Sequence, residues 1–322
     1  MMPDDPHHRV VTIFGGTGFI GRHLVGRLAK RGWRVRVATR SPRDALFLKP
    51  SGAVGQIAPI YTNLADDGSV AAALNNADIA IYLPGILYES GSSTFQAVHT
   101  DAPARVARLA AEGGVRQMVH MSALGASADS EAAYARTKAA GEVAVKDAFP
   151  TASIVRPSIV FGPDDNFFNQ FADMARMAPF LPLIGGGATK FQPVYVGDVA
   201  DAMMACLDRA DAAGQTYELG GPQVYSFKEL LQIVLSETRR RRILLPLPWS
   251  IADFQARILQ MLPKPPLTRD QVTMLKSDNV LTGDLPTLES LGLTPTAVEI
   301  IVPTYLWRYR PGGRFAGGQT AT

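Results

Sequence analysis

The chain has 322 residues, 47% of them hydrophobic and 19% charged, with a formal net charge of +3 and a single cysteine, Cys206. Disorder needs low hydrophobicity and high net charge, so it is excluded; one cysteine excludes a disulfide scaffold and fits a reducing compartment. No stretch reaches the roughly 18 apolar residues of a spanning helix, and basic residues are scattered except for Arg239 to Arg242, so no nucleic-acid partner is expected.

In chain order, residues 1–8 read as a disordered N-terminus. Through Arg9 they hold two Asp and two Pro and resemble neither a secretory signal nor an Arg-rich transit peptide. The expectation is a cytoplasmic protein. Val10–Phe14 is β-rich and stops at Gly15. Phe19 to Arg31 then carries Phe19, Ile20, Leu24, Val25 and Leu28 at helical spacing. Val35, Val37 and Ala38 alternate with Arg34 and Arg36 as a second strand. Gln56–Ile60, Ile79–Leu83, Gln117–Met121 and Ser153–Arg156 read as further strands, and Asp67–Leu74, Phe95–Gly113 and Glu131–Phe149 as helices. Repeated β-α-β order predicts a doubly wound parallel sheet with helices on both faces. After Pro157 the rhythm breaks and prolines cluster. The predicted organisation is a dinucleotide-binding domain over 9–165 and a smaller mixed lobe over 166–310, interleaved with the core around 191–200 and 216–220. Helices are expected there at Val199–Asp208 and Ser226–Arg239, and residues 311–322 form a flexible tail.

The sharpest local signal is Gly15-Gly16-Thr17-Gly18-Phe19-Ile20-Gly21, a G-x-x-G-x-x-G turn between a strand and a helix. Gly15 permits a tight turn, Gly18 lets backbone approach a pyrophosphate, and Gly21 lets the helix pack close to the sheet. The helix N-terminus offers free N–H groups to the anion. A glycine-rich turn with no ligand is the bland alternative. The second strand ends Val37-Ala38-Thr39-Arg40-Ser41-Pro42-Arg43, with no acid placed to bind a ribose 2′-hydroxyl. Arg40 and Arg43 could instead pair with a 2′-phosphate, or be solvated surface charges. NADP(H) is therefore the expected cofactor, with NAD(H) as the alternative. No metal site is expected.

Ser122 closes the strand ending Met118-Val119-His120-Met121, and twelve residues later comes Tyr134-Ala135-Arg136-Thr137-Lys138. Tyr134 and Lys138 share a helix face. A phenol is a poor base near neutrality, and a nearby ammonium favours its ionised form. Ser122, at a strand's carboxyl end, could hold a carbonyl or hydroxyl oxygen. Together the three could deliver a proton to a carbonyl as hydride arrives. Tyr and Lys four apart also occur by chance on many helices.

These residues together resemble the short-chain dehydrogenase/reductase superfamily, in its extended and atypical branches. The likeness continues through Arg156-Pro157-Ser158-Ile159-Val160-Phe161-Gly162-Pro163 and Phe191-Gln192-Pro193-Val194-Tyr195-Val196-Gly197-Asp198-Val199-Ala200, where Asp198 is expected as a helix N-cap. More narrowly, Phe167-Phe168-Asn169-Gln170-Phe171 and Leu181-Pro182-Leu183-Ile184-Gly185-Gly186-Gly187 resemble the family of the NADPH-binding accessory subunit of respiratory complex I and its bacterial relatives. The resemblance runs from about Val10 to Leu306. It implies a Rossmann core, tightly held NADPH, and a C-terminal lobe docked near a quinone site at the membrane. It places Gly15, Gly18 and Gly21 in the cofactor turn, where Thr17, Phe19 and Ile20 are also expected to bind, and Arg40 at the 2′-phosphate, with Arg43 expected to join it. Asn63 and Leu64 fall near adenine, and Leu83, Pro84 and Gly85 at the adenosine ribose. Tyr134 and Lys138 form the active-site pair and hold the nicotinamide ribose, and Pro157 meets the nicotinamide.

There are departures. Asn63 stands where many superfamily members carry an Asp, and His99 where many carry an Asn. His99 is thus either part of a proton relay or a satisfied core histidine. Trp249, Ile251, Phe254, Ile258, Leu259, Met261 and Leu262 put much apolar area on a short helix, flanked by Arg257 and Lys264. That suits a helix lying on anionic lipid or an ordinary amphipathic helix packed on a core. Two functions follow as expectations. One is a non-turnover NADPH-binding subunit associated with complex I or other quinone-related membrane proteins, peripheral on the cytoplasmic face. The other is an NADPH-dependent reductase or epimerase acting on a quinone precursor or another lipophilic carbonyl. An NADP-sensing regulator is a third.

Overall fold

The computed structural model describes residues 9–263 and 265–313. The expected disordered N-terminus and the end of the expected tail lie outside them. The chain groups into two compact units. Of the described residues, the first holds 9–157 together with Val199–Leu219 and Gly283–Leu293; the second holds Ser158–Asp198, those within 220–282, and 294–313.

The first unit is built on a seven-stranded sheet. In chain order its elements are β1 (Val10–Phe14), α1 (Phe19–Lys30), β2 (Arg34–Thr39), β3 (Ile57–Tyr61), α2 (Asp67–Leu74), β4 (Ile79–Tyr82), α3 (Ala102–Glu112), β5 (Gln117–Met121), α4 (Ala133–Ala148) and β6 (Ser153–Pro157). The strand Thr216–Leu219 adds the outer edge beside β6. The order from that edge is β6, β5, β4, β1, β2, β3, and every pairing is parallel. Order reverses between β1 and β4, so the carboxyl ends of these two strands flank a crevice where such sheets take ligands. Both faces are covered, which is why the central strands β1 and β4 read as near-continuous apolar runs. On one face Val70, Leu74, Val106, Val145 and Phe149 pack with Phe14, Tyr82 and Met118. On the other α1 is fastened to the helix Val196–Asp208: Arg27 donates twice to Asp201, at 2.6 and 3.0 Å, and Arg31 pairs with Asp208.

Two expectations are corrected here. Phe95–Gly113 is not one α-helix: Gln96–Asp101 is a π turn that leads into α3. The cause lies in Pro103, which has no N–H to give the carbonyl four residues back. That carbonyl, of His99, is pressed against Gly141 of α4, where a Cβ would stand 1.9 Å from it. Asp198 is not the cap of a helix starting at Val199. The helix begins at Val196 with Asp198 in its first turn, and its carboxylate accepts the Thr296 amide and hydroxyl at 2.6 and 2.9 Å.

The second unit has an aromatic core in which Phe167, Phe168, Phe171, Phe191 and Phe227 meet edge to face or tilted. Ser226 caps the helix Phe227–Glu237 through a full capping box with Glu229. The helix Trp249–Leu259 lays Trp249 and its small residues on this core, with Ala252 and Ala256 fully buried. A Cβ at Gly185 would fall inside the Trp249 ring, so the indole is seated directly on that glycine. The large apolar residues point the other way: Phe254 is 64% exposed, Ile258 56% and Met261 84%. Among the described residues no helix is long and apolar enough to cross a membrane.

Candidate functional site

The site residues expected from sequence fall at the carboxyl ends of six adjacent strands. Gly15 follows β1 with φ at +78°, a conformation glycine adopts without strain. Its Cβ position is 3.2 Å from the Pro84 nitrogen, so the turn is wedged against the segment after β4. Gly21 has no room at all, because a Cβ there would sit 2.4 Å from the Gly15 carbonyl. Gly18 precedes α1 and is exposed, with Thr17, Phe19 and Ile20 half-buried around it. No side chain caps α1, which leaves its first amides for an anion.

Arg40 and Arg43 lie exposed after β2. Among the described residues neither has an ion-pair partner. Thr62 donates its amide to the Thr39 carbonyl and brings the end of β3 alongside. Asn63 is exposed, but its side-chain oxygen already accepts the Ala65 amide at 3.1 Å. Its NH2 group and the second lone pair of that oxygen are left to meet a base. The Leu64 carbonyl is taken by Arg105.

The other end of this edge is buried. Lys138 reaches out of α4, almost fully buried, and donates to the Met121 carbonyl at 3.2 Å. Burial pulls its pKa down to about 8, against an opposing pull from Glu142. Gly85 is packed beside its ammonium, with a Cβ position 3.4 Å from Nζ. Ser122 follows Met121, is buried, and its hydroxyl has no partner among the described residues. Tyr134 is half-buried, its ring edge-on to His99 at 5.1 Å and to Phe95 at 6.0 Å. The Pro157 carbonyl accepts the Leu124 amide and ties β6 to this corner. Arg156, next to it, makes a bidentate pair with Glu142 at 2.6 and 2.8 Å.

His99 is a satisfied core histidine that also shapes the site. Its Nε2 accepts the Ile86 amide at 3.1 Å, and its Nδ1 lies 3.1 Å from the Thr137 hydroxyl. Thr137 directs its proton to the backbone of Ala133 or Tyr134, so His99 carries its proton on Nδ1. Burial, and secondarily the Lys138 charge, hold the imidazole neutral with a pKa of about 3. Sequence reasoning missed Thr137 and His120. Thr137 could have been found one residue before Lys138, on the turn that faces the π segment.

Residues 11–220 match the NAD dependent epimerase/dehydratase family. Over 316 residues, 94% of this chain and 79% of the relative, the sequence is 38% identical to the mitochondrial NADH dehydrogenase [ubiquinone] 1 alpha subcomplex subunit 9 of Arabidopsis thaliana. A ceramide reductase of Caulobacter vibrioides is 33% identical over 196 residues, covering 61% of this chain and 60% of that protein. The fold matches that of dTDP-glucose 4,6-dehydratase from Streptomyces venezuelae, solved with NAD and TYD bound. The TM-score is 0.70 at 19% identity, over 93% of this chain and 96% of that one.

Proposed function

The chain belongs to the NAD dependent epimerase/dehydratase family, alongside subunit 9 of the complex I alpha subcomplex, and from that premise we propose an NADP(H)-binding accessory protein of a respiratory NADH:quinone oxidoreductase. The near full-length likeness to the complex I subunit carries this reading. The carboxyl edge fits the cofactor. The turn at Gly15 and Gly21 is sterically closed to side chains, and Arg40 and Arg43, exposed after β2 and without an ion-pair partner among the described residues, would meet the 2′-phosphate. The outward side of Trp249–Leu259 supports a membrane face. Its exposed Ile251, Phe254 and Ile258 lie on one stripe with Arg257 beside them. Purification from the membrane fraction tests it. NADPH identified by mass, together with co-purifying complex I subunits, is the expected result; a protein free of both contradicts it.

The intact Ser122, Tyr134 and Lys138 favour a second reading, a working NADPH-dependent reductase of a lipophilic carbonyl, and a ceramide reductase among the relatives agrees with it. NADPH, when bound, supplies the hydride. Ser122 donates its unpartnered hydroxyl to the carbonyl oxygen, Tyr134 passes it a proton, and Lys138 compensates the phenolate left behind. Turnover abolished in Tyr134→Phe establishes this reading; turnover untouched by that change removes it.

A further inference from the structure

One sheet face beneath Lys138 carries polar atoms that nothing among the described residues satisfies. His120 and Ser122 are two residues apart on β5 and its extension, so their side chains leave the same face. His120 is fully buried, and neither of its ring nitrogens has a hydrogen-bond partner among the described residues. The ring lies stacked on Tyr82, centroids 5.6 Å apart and planes 26° from parallel. A phenylalanine would stack there without stranding a donor and an acceptor, so the imidazole is unexplained as packing.

The groups that face His120 narrow its partner. Tyr82 gives its hydroxyl proton to the Val98 carbonyl at 2.6 Å. His99 has both nitrogens engaged. Lys138 has three N–H donors, of which one goes to the Met121 carbonyl, the peptide lying between His120 and Ser122. A stranded acceptor near an ammonium with donors to spare is the setting in which proteins hold internal water.

We propose that His120 is a positioning residue for Lys138, holding through one buried water an ammonium hydrogen that the backbone does not take. The imidazole accepts from the water and the water accepts from Nζ, so the charged form of the lysine is favoured and its head is fixed over Gly85. This deepens the reading of Lys138 as part of the cofactor and proton site, and its test uses no cofactor. It therefore stands or falls separately from NADPH binding.

The experiment is equilibrium unfolding of the cofactor-free full chain across about pH 6 to 11, for wild type, His120→Phe, His120→Gln and Lys138→Met. Folded Lys138 releases its proton near pH 8, while in the unfolded chain it does so near 10.5. Wild-type stability should therefore rise through that window, and Lys138→Met should lose the rise. With His120→Phe the rise should begin about one pH unit lower, because the ammonium has lost an acceptor, and His120→Gln should restore it. An unchanged onset in His120→Phe overturns the proposal, whether or not that variant is more stable. Should His120→Phe not fold, the imidazole nitrogen resonances of wild type decide. One ring nitrogen accepting a hydrogen bond supports the water, and two unbonded nitrogens overturn it.

Discussion

The two ends of the sheet's carboxyl edge are built in opposite ways. At the ends of β2 and β3 the side chains proposed to meet the cofactor, Arg40, Arg43 and Asn63, stand exposed. At the ends of β4 and β5 the polar groups are sunk in the core: Lys138, His99, His120 and Ser122 are all buried. The first arrangement would select a ligand by charge, in water, where salt weakens it. The second holds geometry and protonation state by excluding water. A dinucleotide lying across both would be chosen at one end and acted on at the other.

The comparison can be broken most severely at the buried end. Gly141→Ala would drive a methyl group into the His99 carbonyl. It should cost about 3 kcal/mol or more, read as a fall in the urea midpoint or a failure to fold. Acid should come next. His99 and His120 both have pKa values near 3 in the folded chain, against 6.5 ordinarily. Between those limits the unfolded chain binds protons that the folded one does not, so stability falls as pH falls. Each ring contributes up to about 1.4 kcal/mol per pH unit. Urea melts from neutral to acid pH should show this, and His120→Phe should remove roughly half of the slope. At the exposed end the effect is on binding alone. Arg40→Ala should weaken NADPH by about tenfold or more, with NADH little changed and the loss shrinking as salt is added. The smallest effect on stability belongs to the second unit. Phe254→Ser should shift stability by no more than about 0.5 kcal/mol, yet reduce flotation with anionic liposomes.

Much of the first unit was legible because its signals are local. Val10–Phe14, Asp67–Leu74 and Gln117–Met121 appear with the expected bounds, since each apolar run ends at a turn residue or a cap. The carboxyl-edge residues follow once strand order is known. What was not legible depends on contacts distant in sequence. The π turn at Gln96–Asp101 needs Gly141 to receive the His99 carbonyl, and the missing N–H of Pro103 was its only local trace. Asp198 is drawn to Thr296, 98 residues on. The outward stripe of Trp249–Leu259 has the same helical periodicity as an inward one. Only the close seating of Trp249 on Gly185 turns Ala252 and Ala256 inward and leaves Phe254 outside. His120 was hidden because a strand covered on both faces shows no alternation.

The central claim is that this edge binds a nicotinamide dinucleotide and selects it by the 2′-phosphate. Calorimetric titration of the purified chain with NADPH and NADH at low salt tests it most directly. The account predicts NADPH binding at least about tenfold more tightly; equal affinity for the two, or binding of neither, would contradict it.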